Sequence, residues 1–532
     1  MRTYRTVRYP LGEALLALYR WRGPLINAGV GGHGYTYLLG AEANRFVFAN
    51  ADAFSWSQTF ESLVPVDGPT ALIVSDGADH RRRRSVVAPG LRHHHVQRYV
   101  ATMVSNIDTV IDGWQPGQRL DIYQELRSAV RRSTAESLFG QRLAVHSDFL
   151  GEQLQPLLDL TRRPPQVMRL QQRVNSPGWR RAMAARKRID DLIDAQIADA
   201  RTAPRPDDHM LTTLISGCSE EGTTLSDNEI RDSIVSLITA GYETTSGALA
   251  WAIYALLTVP GTWESAASEV ARVLGGRVPA ADDLSALTYL NGVVHETLRL
   301  YSPGVISARR VLRDLWFDGH RIRAGRLLIF SAYVTHRLPE IWPEPTEFRP
   351  LRWDPNAADY RKPAPHEFIP FSGGLHRCIG AVMATTEMTV ILARLVARAM
   401  LQLPAQRTHR IRAANFAALR PWPGLTVEIR KSAPAQYDEF RAETRTHRQH
   451  QPGASAGWPL FDGVAQNMQY RGRRKVADLA QRAPGQLERL GRQREARGDG
   501  VDDLGTTGMA HPGADVVFGQ PMGIKKRGDV IG

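Results

Sequence analysis

The chain has 532 residues, 43% of them hydrophobic, enough for a sizeable buried core. Two cysteines, Cys218 and Cys378, exclude a disulfide framework and a CxxC metal site, and they suit a reducing cytoplasm. With 67 Lys+Arg against 54 Asp+Glu the net charge is +13. No nucleic-acid motif accompanies that charge, so an acidic partner is expected and nucleic acid is not.

The basic start, Met1 to Arg8, leads into a stretch at 11–21 that contains Glu13 and Arg20. It is too short for a transmembrane segment and lacks a signal-peptide pattern, so a soluble, cytoplasmic protein is expected. Residues 1–432 read as one unit, mainly helical, with short strand-like pieces near 35–39, 316–317, 327–330 and 425–429. In Asp79-His-Arg-Arg-Arg-Arg84, His80 and Arg84 are four apart and share a helix face. The three histidines His93, His94 and His95 point about 100° apart on a helix and do not easily converge on one ion. The stretch 161–188, rich in arginine, proline and glutamine, predicts a loop between two helices centred near Ser176-Pro177-Gly178.

Ser226 and Glu229 form a capping box, and apolar residues then recur with helical period until Pro260-Gly261. A helix of about 30 residues spans about 45 Å, enough to cross a domain. In its middle stands Ala240-Gly241-Tyr242-Glu243-Thr244, where glycine and threonine both weaken the helix. Glu296 and Arg299 lie on one face of a later helix, followed by Phe348-Arg-Pro-Leu-Arg352.

Cys378 sits in Phe371-Ser-Gly-Gly-Leu-His-Arg-Cys378-Ile-Gly380, ahead of a long apolar helical run. Phe371 can cover one side of the sulfur, while Gly374 and Gly380 permit a tight turn and the close approach of another group. Helix N–H groups aimed back at the sulfur should lower its pKa. One sulfur cannot hold a zinc ion or an iron–sulfur cluster, which need several ligands, but it can be the axial ligand of a haem. From 433 to 532 the chain is polar and rich in scattered glycines, and its composition predicts a disordered tail.

The cysteine loop, the Ala-Gly-x-Glu-Thr segment and the Glu-x-x-Arg pair, in this order, resemble the cytochrome P450 family of haem-thiolate monooxygenases. The family's loop reads Phe-x-x-Gly-x-Arg/His-x-Cys-x-Gly, and each fixed position is met. The resemblance covers about four-fifths of the chain, ends near Lys431 and looks like an actinobacterial type. It implies a mainly α fold with small β-sheets and a haem b (iron protoporphyrin IX) held by the Cys378 thiolate. The implied reaction inserts one oxygen atom from O2 into a small hydrophobic organic substrate. By the same resemblance Ala240 and Gly241 open a groove over the haem, Glu243 delivers protons and Thr244 supplies a hydroxyl. His80, Arg84, Arg309 and His376 would bind the haem propionates, and Glu296, Arg299 and Arg352 would brace the haem loop. Residues 60–71, 237–240 and 303–306 are expected to line the substrate pocket. Electrons are expected from a ferredoxin and an NAD(P)H-dependent ferredoxin reductase, docking near Arg81–Arg83 and Arg377. A peroxide-using or isomerising enzyme, or a haem protein that only binds or senses, are the alternatives; the Glu243-Thr244 pair argues against the first two.

Overall fold

The serine–glutamate box at 226–229 opens the helix around which the rest of the chain is built. In the computed structural model, residues 6–432 are described, except 162, 164, 207, 208, 220, 221, 405–410, 416 and 417. The tail expected from residue 433 onward lies outside the described residues.

The helices that matter for the site are α1 (Gly77–Val87), α2 (Val100–Asp112), α3 (Ile122–Ala144), α4 (Ser147–Thr161), α5 (Pro165–Arg173), α6 (Pro177–Thr202), α7 (Asp227–Thr258), α8 (Thr288–Leu300) and α9 (Ala381–Arg398). The link between α5 and α6 is the expected loop, but it ends earlier. Ser176 caps α6 by accepting from Trp179 N, and Pro177 takes the first helical position, where its missing N–H costs nothing.

Helix α7 has 32 residues and starts at the predicted box: Ser226 Oγ accepts from Glu229 N while Glu229 Oε2 accepts from Ser226 N at 2.9 Å. Most of it is buried, with Ile234, Ile238, Leu249, Trp251 and Ile253 at 1% exposure or less. A helix so largely buried is a core element, and α3, α6, α8 and α9 pack against it. Trp251 stacks on Tyr301 at 4.4 Å between ring centroids.

The sheets are small. β1 (Leu25–Ala28), β2 (Tyr35–Leu38), β3 (Phe54–Ser55), β4 (Arg119–Asp121), β5 (Ser307–Val311), β6 (Leu315–Phe317), β7 (His320–Ile322), β8 (Leu327–Phe330), β9 (Ala399–Gln402), β10 (Arg412–Asn415), β11 (Leu419–Trp422) and β12 (Thr426–Ser432) follow in chain order. The largest sheet has the order β1-β2-β8-β5-β3, with β2 and β8 parallel and the other pairs antiparallel. β12 lies between β4 and β9 in a three-stranded sheet. All four strand-like pieces of the sequence are strands. Among the described residues no helix is long and apolar enough to cross a membrane.

Candidate active site

The loop 371–380 folds back on itself before α9. Cys378 N donates to Phe371 O at 2.9 Å, and Gly374 turns the chain at φ +68°. A side chain at Gly373 would strike the Phe48 ring at 2.5 Å, so the loop rests on that ring. At Gly380 the space where a Cβ would stand is open, and the residue lines the cavity described next.

That cavity, of about 370 Å³, is walled by α7, α1, α9 and the 371–380 loop. It brings together Cys378, Phe371, His376, Gly380, His80, Arg84, Ala240, Gly241 and Thr244 from segments far apart in the chain. Leu237 and residues from 303–306 border it as expected. The segment 60–71 does not. Arg186 of α6 donates to Val66 O at 2.5 Å, and Thr70 N and Oγ1 donate to Asp232 of α7, which holds this segment back. Leu72 and Ile73, just beyond it, form that part of the wall.

Glu243 and Thr244 part company. Successive residues on a helix diverge by about 100°, so Thr244 faces the cavity while Glu243 turns toward α3. There its carboxylate pairs with Arg127 and accepts from Tyr123 OH at 2.9 Å. It does not border the cavity. Thr244 Oγ1 donates to Ala240 O at 2.8 Å, in the weakened turn of α7.

Cys378 was expected to have a lowered pKa. Burial instead pushes its thiol up, outweighing the Gly380 N–H bond and the charges of Arg84 and Arg377. Cys378 has exposed surface and lines the cavity. The surrounding protein, however, leaves the thiol little solvent with which to stabilise a charge.

Beside the loop, Trp56 stacks on His376 at 4.6 Å between centroids, and the His376 and His80 rings meet at a tilt, 4.0 Å apart. Arg309 of β5 lies 3.6 Å over the Trp56 ring and borders a small adjoining hollow with Gly373 and His376, not the main cavity. Burial and neighbouring cations lower His80 to about 4, and burial with His80 lowers His376 to about 3. Burial brings Arg309 down to about 9. Such a crowd of desolvated donors is unfavourable alone and favourable around an anion. Trp56 Nε1 is buried with no partner, an orphaned donor in the same place. The residues present therefore fit a haem, with carboxylates at this cluster and a sulfur facing the cavity. Trp56 carries no motif, and only the fold could reveal it.

Two of the three arginines expected to face a partner are turned inward. Arg83 Nε donates to Glu229 Oε1 at 2.8 Å and Arg82 pairs with the same carboxylate, because Glu229 stays charged inside the capping box. Arg81 and Arg377 are exposed.

The Glu296–Arg299 pair is fully buried rather than a surface pair. Arg299 donates to both Glu296 oxygens at 2.7 and 2.8 Å and to the carbonyls of His336, Pro345 and Glu347. Burial opposes the Glu296 charge, yet Arg299 and Arg352 hold its pKa below the ordinary value. Arg352 Nε reaches Glu296 at 3.4 Å, and Trp353 Nε1 donates to it at 2.9 Å. The Trp353 ring packs on Phe368 at 4.6 Å, and Ile369 N donates to His336 Nε2 at 2.9 Å. The pair thus connects to the stretch that enters the 371–380 loop.

The family model described as cytochrome P450 matches residues 5–428. Cyclooctat-9-en-7-ol 5-monooxygenase of Streptomyces melanosporofaciens is 30% identical over 67% of this chain and 78% of its own length. Cyclooctatin synthase of the same organism is 32% identical over 69% of this chain and 78% of its own length. Among solved structures, retinoic acid bound cyanobacterial CYP120A1 superposes with a TM-score of 0.69 at 23% identity, covering 78% of this chain and 93% of the other. With its mainly helical fold, small sheets and cysteine-loop cavity, the chain belongs to the cytochrome P450 family and is a haem-thiolate monooxygenase.

Proposed function

We propose that this enzyme hydroxylates an apolar, largely hydrocarbon molecule of the class that the name cyclooctat-9-en-7-ol denotes, with Cys378 as the haem ligand. The observation that carries the reading is the cavity itself. Leu72, Ile73, Leu237, Ala240 and Ile306 belong to its largely apolar wall, with Thr244 among the polar residues that also line it. Such a wall excludes water and orients a substrate by shape, with few hydrogen bonds to satisfy. Two similar Streptomyces enzymes named for cyclooctatin chemistry support the same class.

When bound, the haem supplies the activation of O2, and the thiolate ligand favours O–O cleavage. The chain's own part is positioning and protons. His80, Arg84, His376 and Arg309 hold the carboxylates of the cofactor, while Gly380 leaves room beside the sulfur. Thr244 presents a hydroxyl to the cavity. Glu243 is the acid beside it in sequence, and for it to pass a proton its carboxylate must leave Arg127 and Tyr123. Glu296, Arg299 and Arg352 keep the loop in place. An acidic ferredoxin with an NAD(P)H-dependent reductase is the electron source in this reading, set in the cytoplasm. The exposed Arg81 and Arg377 support it.

The test uses the full-length holoprotein. Its reduced carbon-monoxide spectrum should be that of a thiolate-ligated haem, and Cys378→Ala should abolish it. Alicyclic alkenes and alkenols should then shift the ferric spectrum and support substrate-dependent NAD(P)H consumption with supplied redox proteins. Spectral shifts confined to polar ligands, with no hydroxylated product from any alicyclic compound, would sink the substrate class.

A further inference from the structure

The cavity face of α7 carries a second hydroxyl, far along the helix from Thr244. Ser233 borders the cavity and is 2% exposed, and its Oγ has no hydrogen-bond partner. A serine or threonine inside a helix can bond back to the carbonyl four residues earlier. In α7, Thr244, Ser246 and Thr258 do so, donating to Ala240 O, Tyr242 O and Tyr254 O. Ser233 does not use Glu229 O in this way. A buried hydroxyl without a partner is costly, so an unpartnered one in a cavity wall calls for an occupant that bonds it.

Helix geometry fixes where that hydroxyl stands. Ser233 and Thr244 are eleven residues apart. Eleven residues make three turns and about 20° more, so both side chains leave α7 on nearly one line, about 16 Å apart along the axis. Between them on the cavity wall, Leu237, Ala240 and Gly241 bring no polar side-chain atom. Among the described residues, the other cavity-lining groups with an unpartnered polar atom lie elsewhere. Trp56 stacks on His376 of the cysteine loop, Ser372 is in that loop, Glu387 is on the helix that follows it, and Thr134 lies against Gly241.

The turn that carries Ser233 is held in place. Its neighbour Asp232 is 1% exposed and accepts from Arg186 of α6 at 2.8 Å and from Thr70 N and Oγ1 at 3.0 and 2.6 Å. The segment Leu72–Val74 that follows Thr70 packs against α7 and gives Leu72 and Ile73 to the cavity wall. A fixed hydroxyl in a largely apolar wall orients a ligand that carries an oxygen of its own.

We propose that Ser233 hydrogen-bonds a hydroxyl already present on the substrate, so that the enzyme takes an alcohol of an apolar skeleton and oxidises it at a carbon remote from that hydroxyl. The substrate hydroxyl donates to Ser233 Oγ or accepts from it, and no covalent bond changes there. Ser233 touches the substrate and sets which carbon is presented beside Thr244. This rests on the reading of the cavity as the site of an apolar, largely hydrocarbon molecule.

The test uses full-length holoprotein and two ligand pairs, cyclododecanol with cyclododecane and decan-1-ol with decane. Dissociation constants are read from the ferric spectrum and from calorimetry. Ser233→Ala should weaken the alcohols about tenfold and leave the hydrocarbons unchanged. In turnover of cyclododecanol it should spread the new oxygen over more carbons than wild type does. Ser236→Ala, whose side chain stands about 80° off the line of Thr244, should leave both alcohols within twofold. Without ligand, Ser233→Ala should melt no lower than wild type, because the hydroxyl it removes has no partner in the protein. Equal effects of Ser233→Ala on alcohol and hydrocarbon overturn the proposal, as does an unchanged affinity for the alcohols. A melting temperature several degrees lower gives Ser233 a structural role and also overturns it. If only the open-chain pair binds, the alicyclic class has failed while that pair still decides Ser233. If neither pair binds wild type, the apolar reading of the cavity has failed and this proposal falls with it.

Discussion

Arg81, Arg82 and Arg83 read alike in the sequence, yet the fold gives them different work. Arg82 and Arg83 hold Glu229, and of the three only Arg81 is exposed, as Arg377 is. Surface charges steer partners by rate more than by affinity. Arg81→Glu combined with Arg377→Glu should therefore slow reduction by an acidic ferredoxin about tenfold at low salt and flatten its salt dependence. Stopped-flow reduction of carbon-monoxide-saturated enzyme measures this, with an unchanged thiolate spectrum as the control for Arg377, a neighbour of Cys378. Unchanged reduction would remove Arg81 and Arg377 as docking residues. The same scale shows what one sequence can disclose. The loop around Cys378 was legible because a thiolate facing a large cofactor needs glycines at fixed offsets. So was the Glu296–Arg299 pair, because its spacing fixes a shared helix face. The direction of Glu243 was not, since its partners Tyr123 and Arg127 lie more than a hundred residues upstream. Trp56 gave no signal at all, because its role comes from His376 and Arg309 closing over it.

Helix α7 was the most legible element, having a cap signature, sustained apolar periodicity and a Pro-Gly stop. The strands were less so. The four recognised pieces contain apolar or aromatic runs, whereas β5, with sequence Ser-Ala-Arg-Arg-Val, hides a sheet pairing with β3 and β8 behind two arginines. What the sequence could not disclose about α7 is that its cap is shared. Glu229 bonds Ser226 and also neutralises Arg82 and Arg83 of α1, so the start of α7 is fastened to the helix that supplies His80 and Arg84. Burial opposes its charge, but the bonds from Arg82, Ser226 and Arg83 outweigh this and lower its pKa to about 2. A carboxylate with a depressed folded-state pKa stabilises fully above its ordinary range and loses that contribution as pH falls toward the folded value. Glu229→Ala removes half the cap and takes from the buried Arg83 guanidinium its nearest carboxylate, a loss of about 2–4 kcal/mol at pH 7. Urea unfolding should show that loss and show it shrinking as pH falls from about 4.5 toward 2. Arg81→Ala, away from the cap, should stay within about 0.5 kcal/mol. Equal effects of the two would refute the shared cap.

At the scale of the whole molecule, the boundary near residue 432 was read from a change in composition, and the fold supplies a physical reason for one there. β12 ends at Ser432 and is the middle strand between β4 and β9. Just before it, Leu425 N donates to Asp121 Oδ1 and Ile122 N donates to Leu425 O, which ties the entry to this last strand to the start of α3. Leu425, Val427 and Ile429 are fully buried. Cutting the chain before Leu425 would forfeit the burial of these side chains, about 1.5–3 kcal/mol each, and leave β4 and β9 without their shared partner. We propose that residues 433–532 lie outside the oxygenase unit. A chain ending at Ser432 should then keep the thiolate carbon-monoxide spectrum, the substrate-binding spectrum and a cooperative thermal transition within a few degrees of full length. A chain ending at Gly424 loses a central strand and should yield little haem-loaded protein. Expressing both beside the full chain and measuring haem per polypeptide separates the cases. If the 432-residue chain fails to bind haem, residues beyond β12 belong to the folding unit.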